Sequence, residues 1–264
     1  MFYKYVFYLI VFSAIVFLLE RLFAWRKQKI IRPFFWRDVF LLIFNGEIFG
    51  FSLAWFELSI LGWAGYHTIL ENKALAMSDW NLWIQVFCFL LVKDFIEYWI
   101  HRLLHSNTFL WEFHKTHHSV TTMDFWCNFR FHFAETIFYK HLGFLIPLLI
   151  GVHWKAVLIG ACISTFIGHL NHANLAWNYG PLKYIFNNPR MHYWHHEIRS
   201  DARLVKNYGV VFSMWDFIFG TAYLNEKVDP QIGLDDHGYT ERHPLSFLSW
   251  SVVCASCCVY FLVV

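Results

Sequence analysis

Residues 93–105 read Lys-Asp-Phe-Ile-Glu-Tyr-Trp-Ile-His-Arg-Leu-Leu-His and continue an apolar run that begins near Trp80. The helical pattern persists to His105. Its apolar part, Trp80 to Val92, is short for a membrane crossing of about 20 residues. The helix is therefore expected to leave the bilayer and carry its histidines into the headgroup zone. His101 and His105 stand four apart, on one helical face, where Cβ atoms lie about 5–6 Å apart. Two imidazoles so placed can reach one ion, at about 2.0–2.1 Å from each nitrogen in the zinc case.

The pattern repeats further along. His114, His117 and His118 read His-x-x-His-His, and so do His192, His195 and His196. Thirteen of the sixteen histidines fall between His101 and His196. Three clusters supply eight imidazoles, more than one ion binds, so two ions are the natural count. His132 lies between the clusters in Asn-Phe-Arg-Phe-His-Phe-Ala-Glu (128–135), and His169 and His172 follow an apolar stretch. Isolated histidines are more often packed or surface residues; His67, His141, His153, His237 and His243 are read that way. Crowded imidazoles have no packing advantage over leucine and repel one another when charged, so the clusters point to metal. Imidazole suits zinc, copper, iron and nickel alike.

Hydrophobic residues make up 58% of the 264-residue chain and charged residues 15%, against roughly 25% charged in soluble proteins. A soluble fold of this size could not hide so much apolar surface, so the expected solvent is lipid. The 14 tryptophans and 30 phenylalanines suit interfacial belts and an apolar cavity. A net charge of +2 gives no sign of nucleic-acid binding. Of the six cysteines, only Cys127 sits in a polar segment; Cys254-x-x-Cys257 has no second pair nearby to make a zinc site.

Phe2 to Leu19 reads as a retained first span. Arg21, Arg26, Lys27, Lys29, Arg32 and Arg37 follow in one loop, which the positive-inside rule assigns to the cytosol. A second span, about Val39 to Trp63, carries Glu47 and Glu57, which should face inward. The stretch from Leu142 to Gly168 cannot cross once, because the histidines on its two sides would then lie on opposite faces. It is expected to be two half-length helices turning near Gly151-Val152-His153. The run Leu245 to Val264 is either a last span or an in-plane helix. The division reads as N-terminal helices and basic loop (1–84), catalytic domain (85–235) and C-terminal tail (236–264).

An ordered set of motifs resembles the fatty acid hydroxylase superfamily, which includes sterol desaturases, sterol methyl oxidases, sphingolipid hydroxylases and alkylglycerol monooxygenase. It comprises Asp94-x-x-Glu97-Tyr98-Trp99-x-His101-Arg102-x-x-His105, Leu110-Trp111-x-Phe113-His114-x-x-His117-His118-Ser119 and Arg130-x-His132-x-x-Glu135. His172-x-Asn174, Asn188-Pro189-x-x-His192-x-x-His195-His196, Asn207-Tyr208-Gly209, Trp215-Asp216 and Phe219-Gly220-Thr221 complete it. Phe133 stands where the family often has proline. The resemblance covers roughly residues 85 to 235.

What it implies is an all-α integral membrane protein, a bundle of about four transmembrane helices including the hairpin, beneath a cytosolic helical cap. The cap would hold two irons through His101, His105, His114, His117, His118, His132, His172, His192, His195 and His196, with His169 as an addition. Such a centre uses O2 to hydroxylate or desaturate a lipid: a sterol, sphingolipid, fatty acyl chain or ether lipid. Side chains alone cannot oxidise an unactivated C–H bond. Asp94, Glu97 and Glu135 are the carboxylates expected to orient imidazole N–H groups, and Asp216 could do so or cap a turn. With no Rossmann glycines, no Cys-x-x-Cys-His and no His-Pro-Gly-Gly, electrons must come from a separate donor of ferredoxin or cytochrome b5 type with its reductase. A bacterial inner membrane or endoplasmic reticulum fits, with the site on the cytosolic face. The rival class is a histidine-rich metal transporter or binding protein without redox chemistry, which would place its histidines within the spans and exchange its metal.

Overall fold

The computed structural model describes residues 2–45, 55, 59, 77–136, 151–198 and 205–234. Seven α-helices carry the described chain: α1 (Phe2–Leu22), α2 (Phe35–Ile43), α3 (Leu82–Ser106), α4 (Thr108–His118), α5 (Trp154–His172), α6 (Pro189–His195) and α7 (Met214–Ile218). Among the described residues there is no strand beyond two isolated bridges, Ala24 with Leu175 and Glu197 with Ile232. One described helix, Lys4–Leu22, is long and apolar enough to cross a membrane.

Asparagines set the helix starts. Asn81 accepts the Trp83 amide at the head of α3, and Asn188 accepts the Met191 amide at the head of α6, with Pro189 in the first turn. Asn107 does two jobs. Its extended backbone ends α3, and its side chain accepts the Phe109 and Leu110 amides to start α4. This break folds α4 back so that the His101–His105 face meets the His114–His118 face.

α3 and α5 pack closely because Gly160 leaves room for the Phe89 ring, which a Cβ there would strike. Val86, Leu90, Ala156, Val211 and Phe212 complete that core. α1 lies along α5 through Phe12 on Phe166, with ring centroids 5.0 Å apart, and Tyr5 bonded to Thr165 at 2.8 Å. At the end of α1 the buried Glu20 accepts amides of Phe125 at 3.0 Å and Asn174 at 2.8 Å. That joins α1 to both segments flanking the histidines.

Several expected elements fall outside the described residues: the second span beyond Asn45 with Glu47 and Glu57, the first arm of the hairpin before Gly151, and the C-terminal run with Cys254 and Cys257. The turn itself is present, with Gly151 in the left-handed region (φ 63°). The second arm differs from expectation. It runs 19 residues as α5, not half a span, because nothing between Trp154 and His172 interrupts the helix.

A buried ion network braces the loop between α1 and α2 against the chain after α4. Arg32 bonds Asp124 at 2.6 and 2.8 Å, and Arg130 bonds Asp38 at 2.6 and 2.9 Å. Arg32 also meets Asp38 at 2.8 Å, and Arg130 reaches Ser119, next to His118, at 3.1 Å. Removing one member leaves an uncompensated buried charge, a cost of about 3–5 kcal/mol. Asp38→Ala should therefore lower the melting midpoint strongly in detergent. Glu226→Ala removes a half-exposed partner 3.5 Å from Lys183 and should cost less than about 1 kcal/mol. Equal shifts in the two melts would contradict the network's role.

Candidate metal centre

Nine histidines from four helices converge in two groups. His101, His105, His114, His118 and His195 form the first; His117, His172, His192 and His196 form the second. Within each group one ring nitrogen per residue lies within 4.8 Å of all the others. None of the nine is more than 5% exposed.

Helix geometry explains how the His-x-x-His-His spelling serves two groups. Successive residues are about 100° apart around a helix, so residues four apart nearly align while adjacent ones diverge. On α4, His114 and His118 face the first group and His117 turns to the second. On α6 and its C-terminal cap the arrangement is exchanged: His192 and His196 face the second group, and His195 the first. Each such motif bridges both groups.

The hydrogen-bond pattern tests whether these residues fit cations. His101 Nδ1 donates to the Tyr208 carbonyl, His195 Nδ1 to the Lys206 carbonyl and His172 Nδ1 to the Gly168 carbonyl, each at 2.8 Å. A carbonyl only accepts, so in these three rings the proton sits on Nδ1 and Nε2 carries a bare lone pair. His114 Nδ1 meets Glu135 Oε1 at 2.7 Å. Each of the three bare Nε2 atoms faces another ring nitrogen: His101 that of His114 at 3.2 Å, His195 that of His118 at 3.1 Å, and His172 that of His192 at 2.9 Å. Each is a lone pair aimed into its histidine group, the donor a cation takes. Both nitrogens of His105, and Nδ1 of His117, His192 and His196, have no hydrogen-bond partner.

Protons do not supply the missing charge. Burial, with the neighbouring imidazoles adding repulsion, holds His114, His117, His118, His192, His195 and His196 well below the usual imidazole pKa. Neutral imidazole is the metal-binding form. Burial pushes the Glu135 carboxyl well above the ordinary carboxylate range, a shift that a dication beyond His114 would oppose. The residues fit two cations held by nitrogen alone, and no cysteine joins either group.

Two expected ligands stand apart. His132 Nδ1 accepts the Ala134 amide at 3.1 Å, and its ring lies 5.2 Å from Phe113 and 4.3 Å from Phe133. His169 is fully buried with both nitrogens engaged, Nδ1 by Asn128 at 3.0 Å and Nε2 by Ser13 at 3.3 Å. It is a packed histidine bonded within the protein. Of the carboxylates, only Glu135 touches a clustered imidazole. Asp94 spends both oxygens on the Val211 and Phe212 amides (2.6 and 2.9 Å) and the Trp215 indole (3.0 Å). Glu97 pairs with Lys93 at 2.6 Å, one turn back on its own helix. Asp216 binds the Tyr208 and Gly209 amides at 2.7 and 2.9 Å. The orienting groups that sequence reasoning missed are main-chain carbonyls, whose only trace was the Asn207-Tyr208-Gly209 motif.

The model of the family described as "Fatty acid hydroxylase" matches residues 86–221, more than half of the chain and all nine clustered histidines. The chain is 35% identical over 172 residues to the ornithine lipid hydroxylase OlsE of Rhizobium tropici, covering 65% of this chain and 50% of that protein. It is 35% identical over 170 residues to human alkylglycerol monooxygenase (62% and 36%) and 25% identical over 139 residues to methylsterol monooxygenase 1-3 of Arabidopsis thaliana (52% and 47%). The matches thus span half or less of these relatives. No solved structure matches. From the two histidine groups and the family match together, this chain belongs to the fatty acid hydroxylase family.

Proposed function

We propose that this chain is a membrane-embedded di-iron oxygenase that hydroxylates or desaturates a lipid. The observation that carries the reading is the pair of nitrogen-only groups, into which the bare Nε2 atoms of His101, His195 and His172 point. Two bound irons would supply O2 activation and the oxidising power that side chains lack. His101, His105, His114, His118 and His195 would hold one ion, and His117, His172, His192 and His196 the other. Glu135 would orient His114 and balance cationic charge. Burial of all nine rings keeps bulk water from the centre.

Lipid as substrate class is supported by the relatives, whose names give an ornithine lipid, an alkylglycerol and a methylsterol. Bilayer residence is supported by α1, where Phe7, Ile10 and Leu18 are 62%, 63% and 57% exposed. Such a surface is stable in hydrocarbon and not in water. The basic loop after α1 supports a cytosolic histidine face by the positive-inside rule, in keeping with the four-span bundle and cap that the family resemblance implies. A separate ferredoxin or cytochrome b5 type donor completes the reading.

Metal analysis of the detergent-purified protein, with lipid mass spectrometry of cells with and without it, tests the proposal. The expected result is about two irons per chain and a lipid gaining one oxygen or losing two hydrogens. Readily stripped zinc with no lipid change would overturn it. His195→Ala should abolish product. His153→Ala removes the cap on the Lys155 amide and a ring contact with Trp154, both at the head of α5, and should leave most activity; equal losses would break the site assignment.

Acid gives a further test. The buried imidazoles stay neutral in the fold, whereas in the unfolded chain they take up protons below about 6.5. The unfolded state then binds more protons, so stability falls as pH drops through that value. Metal-stripped protein should melt at a lower temperature at about pH 5.5 than at about pH 7.5. A midpoint that rises in acid would contradict the assignment.

A further inference from the structure

Residues 206–212 form an irregular segment on which four buried polar side chains converge. Asp216 takes the Tyr208 and Gly209 amides, and Asp94 takes the Val211 and Phe212 amides. Asn187 Nδ2 donates to the Gly209 carbonyl at 2.5 Å, and Asn171 Nδ2 to the Val210 carbonyl at 2.8 Å. Asn207 is fully buried in the left-handed region, with φ 60°. Its amide nitrogen Nδ2 donates to the Met191 and Tyr223 carbonyls at 2.8 and 2.7 Å, and Oδ1 accepts the Tyr223 amide at 2.7 Å. A Cβ on Gly209 would strike the Phe212 carbonyl, so glycine allows the chain to close on Asp216.

Buried polar side chains are expensive unless satisfied, and here four carboxylates and amides from α3, α5, α7 and the α6 approach act on one short backbone stretch. The two carbonyls that flank Asn207 are those of Lys206 and Tyr208. They accept from His195 Nδ1 and His101 Nδ1, on different helices, and both rings belong to the first group. The left-handed residue between them reverses the chain locally, so successive carbonyls reach two separate rings. In the second group the one comparable bond, His172 to Gly168, comes from a carbonyl of its own helix.

We infer that the 206–212 segment is a carbonyl cradle that orients His101 and His195, with Asn207 and Asp216 as positioning residues chiefly for the ion of the first group. This rests on the metal reading above. Neither side chain touches a clustered imidazole. Each acts by fixing the main chain that does. Loss of such outer partners lowers metal affinity about 10–100-fold.

The test measures the release of bound ions to a competing chelator from the detergent-purified, metal-loaded full chain, counted per chain and independent of turnover. Asn207→Gly keeps the left-handed backbone and deletes three hydrogen bonds. Thr221→Val removes a 2.7 Å hydroxyl donor to Asp216 and a 2.9 Å bond to the Tyr98 hydroxyl, and serves as the milder variant. The expected result is one ion released at least about 10-fold faster than in the parent and the other clearly less affected, more strongly in Asn207→Gly than in Thr221→Val. Both ions loosening equally would show a merely structural role and overturn the inference, as would no change in either variant. If Asn207→Gly does not fold, Thr221→Val decides by the same criterion. A parent chain that binds no ion would sink the metal reading itself, an outcome distinct from a parent with two ions and variants without asymmetry.

Discussion

Nine buried imidazoles, three of them with the proton held on Nδ1 by a main-chain carbonyl, set the constraint on which the rest of the structure depends. Hydrophobic burial does not favour this arrangement. Each ring loses water, several nitrogens gain no protein partner, and facing ring nitrogens sit about 3 Å apart. Cations among the rings would turn each of these costs into an attraction. Metal loading would then add to the stability of the fold, because a site of this kind does not exist in the unfolded chain.

The remainder of the described fold brings four helices to that point and holds them. Asn107 breaks α3 from α4 so their histidine faces meet. Gly160 lets α3 and α5 approach, which brings His172 to the second group. The Arg32–Asp124–Asp38–Arg130 network ties the loop after α1 to Ser119, beside His118. Much of the polar chemistry in this apolar chain therefore serves position. The helical period does the rest: a His-x-x-His-His helix necessarily points its adjacent histidines in different directions, and two such helices with exchanged pairing bridge the two groups.

Eight of the nine convergent histidines were legible from spacing alone, since residues three and four apart share a helical neighbourhood whatever the tertiary fold. His172 came from the family resemblance. His132 and His169 lie outside both groups, and residue type and motif do not reveal why: the Ala134 amide, Asn128 and Ser13 take up nitrogens that sequence leaves open. Asp94 shows the same limit. Seven residues before His101, it lies on nearly the same face, yet its oxygens meet main-chain amides more than a hundred residues away. Orientation by carbonyls has no side-chain signature, so the segment around Asn207 could be noticed as a motif without a role. The α3 boundaries were readable because the apolar period is continuous. α5 proved longer than a half-span because the sidedness argument constrains where the chain returns and not how long its returning arm is.

Whether the two histidine groups hold two ions through nitrogen is decided by X-ray absorption at the metal edge of the purified chain, with metal counted on the same sample. About two ions per chain are expected, each surrounded by imidazole nitrogen and other nitrogen or oxygen scatterers with no sulfur. One ion per chain, or a sulfur shell at about 2.3 Å, would contradict it.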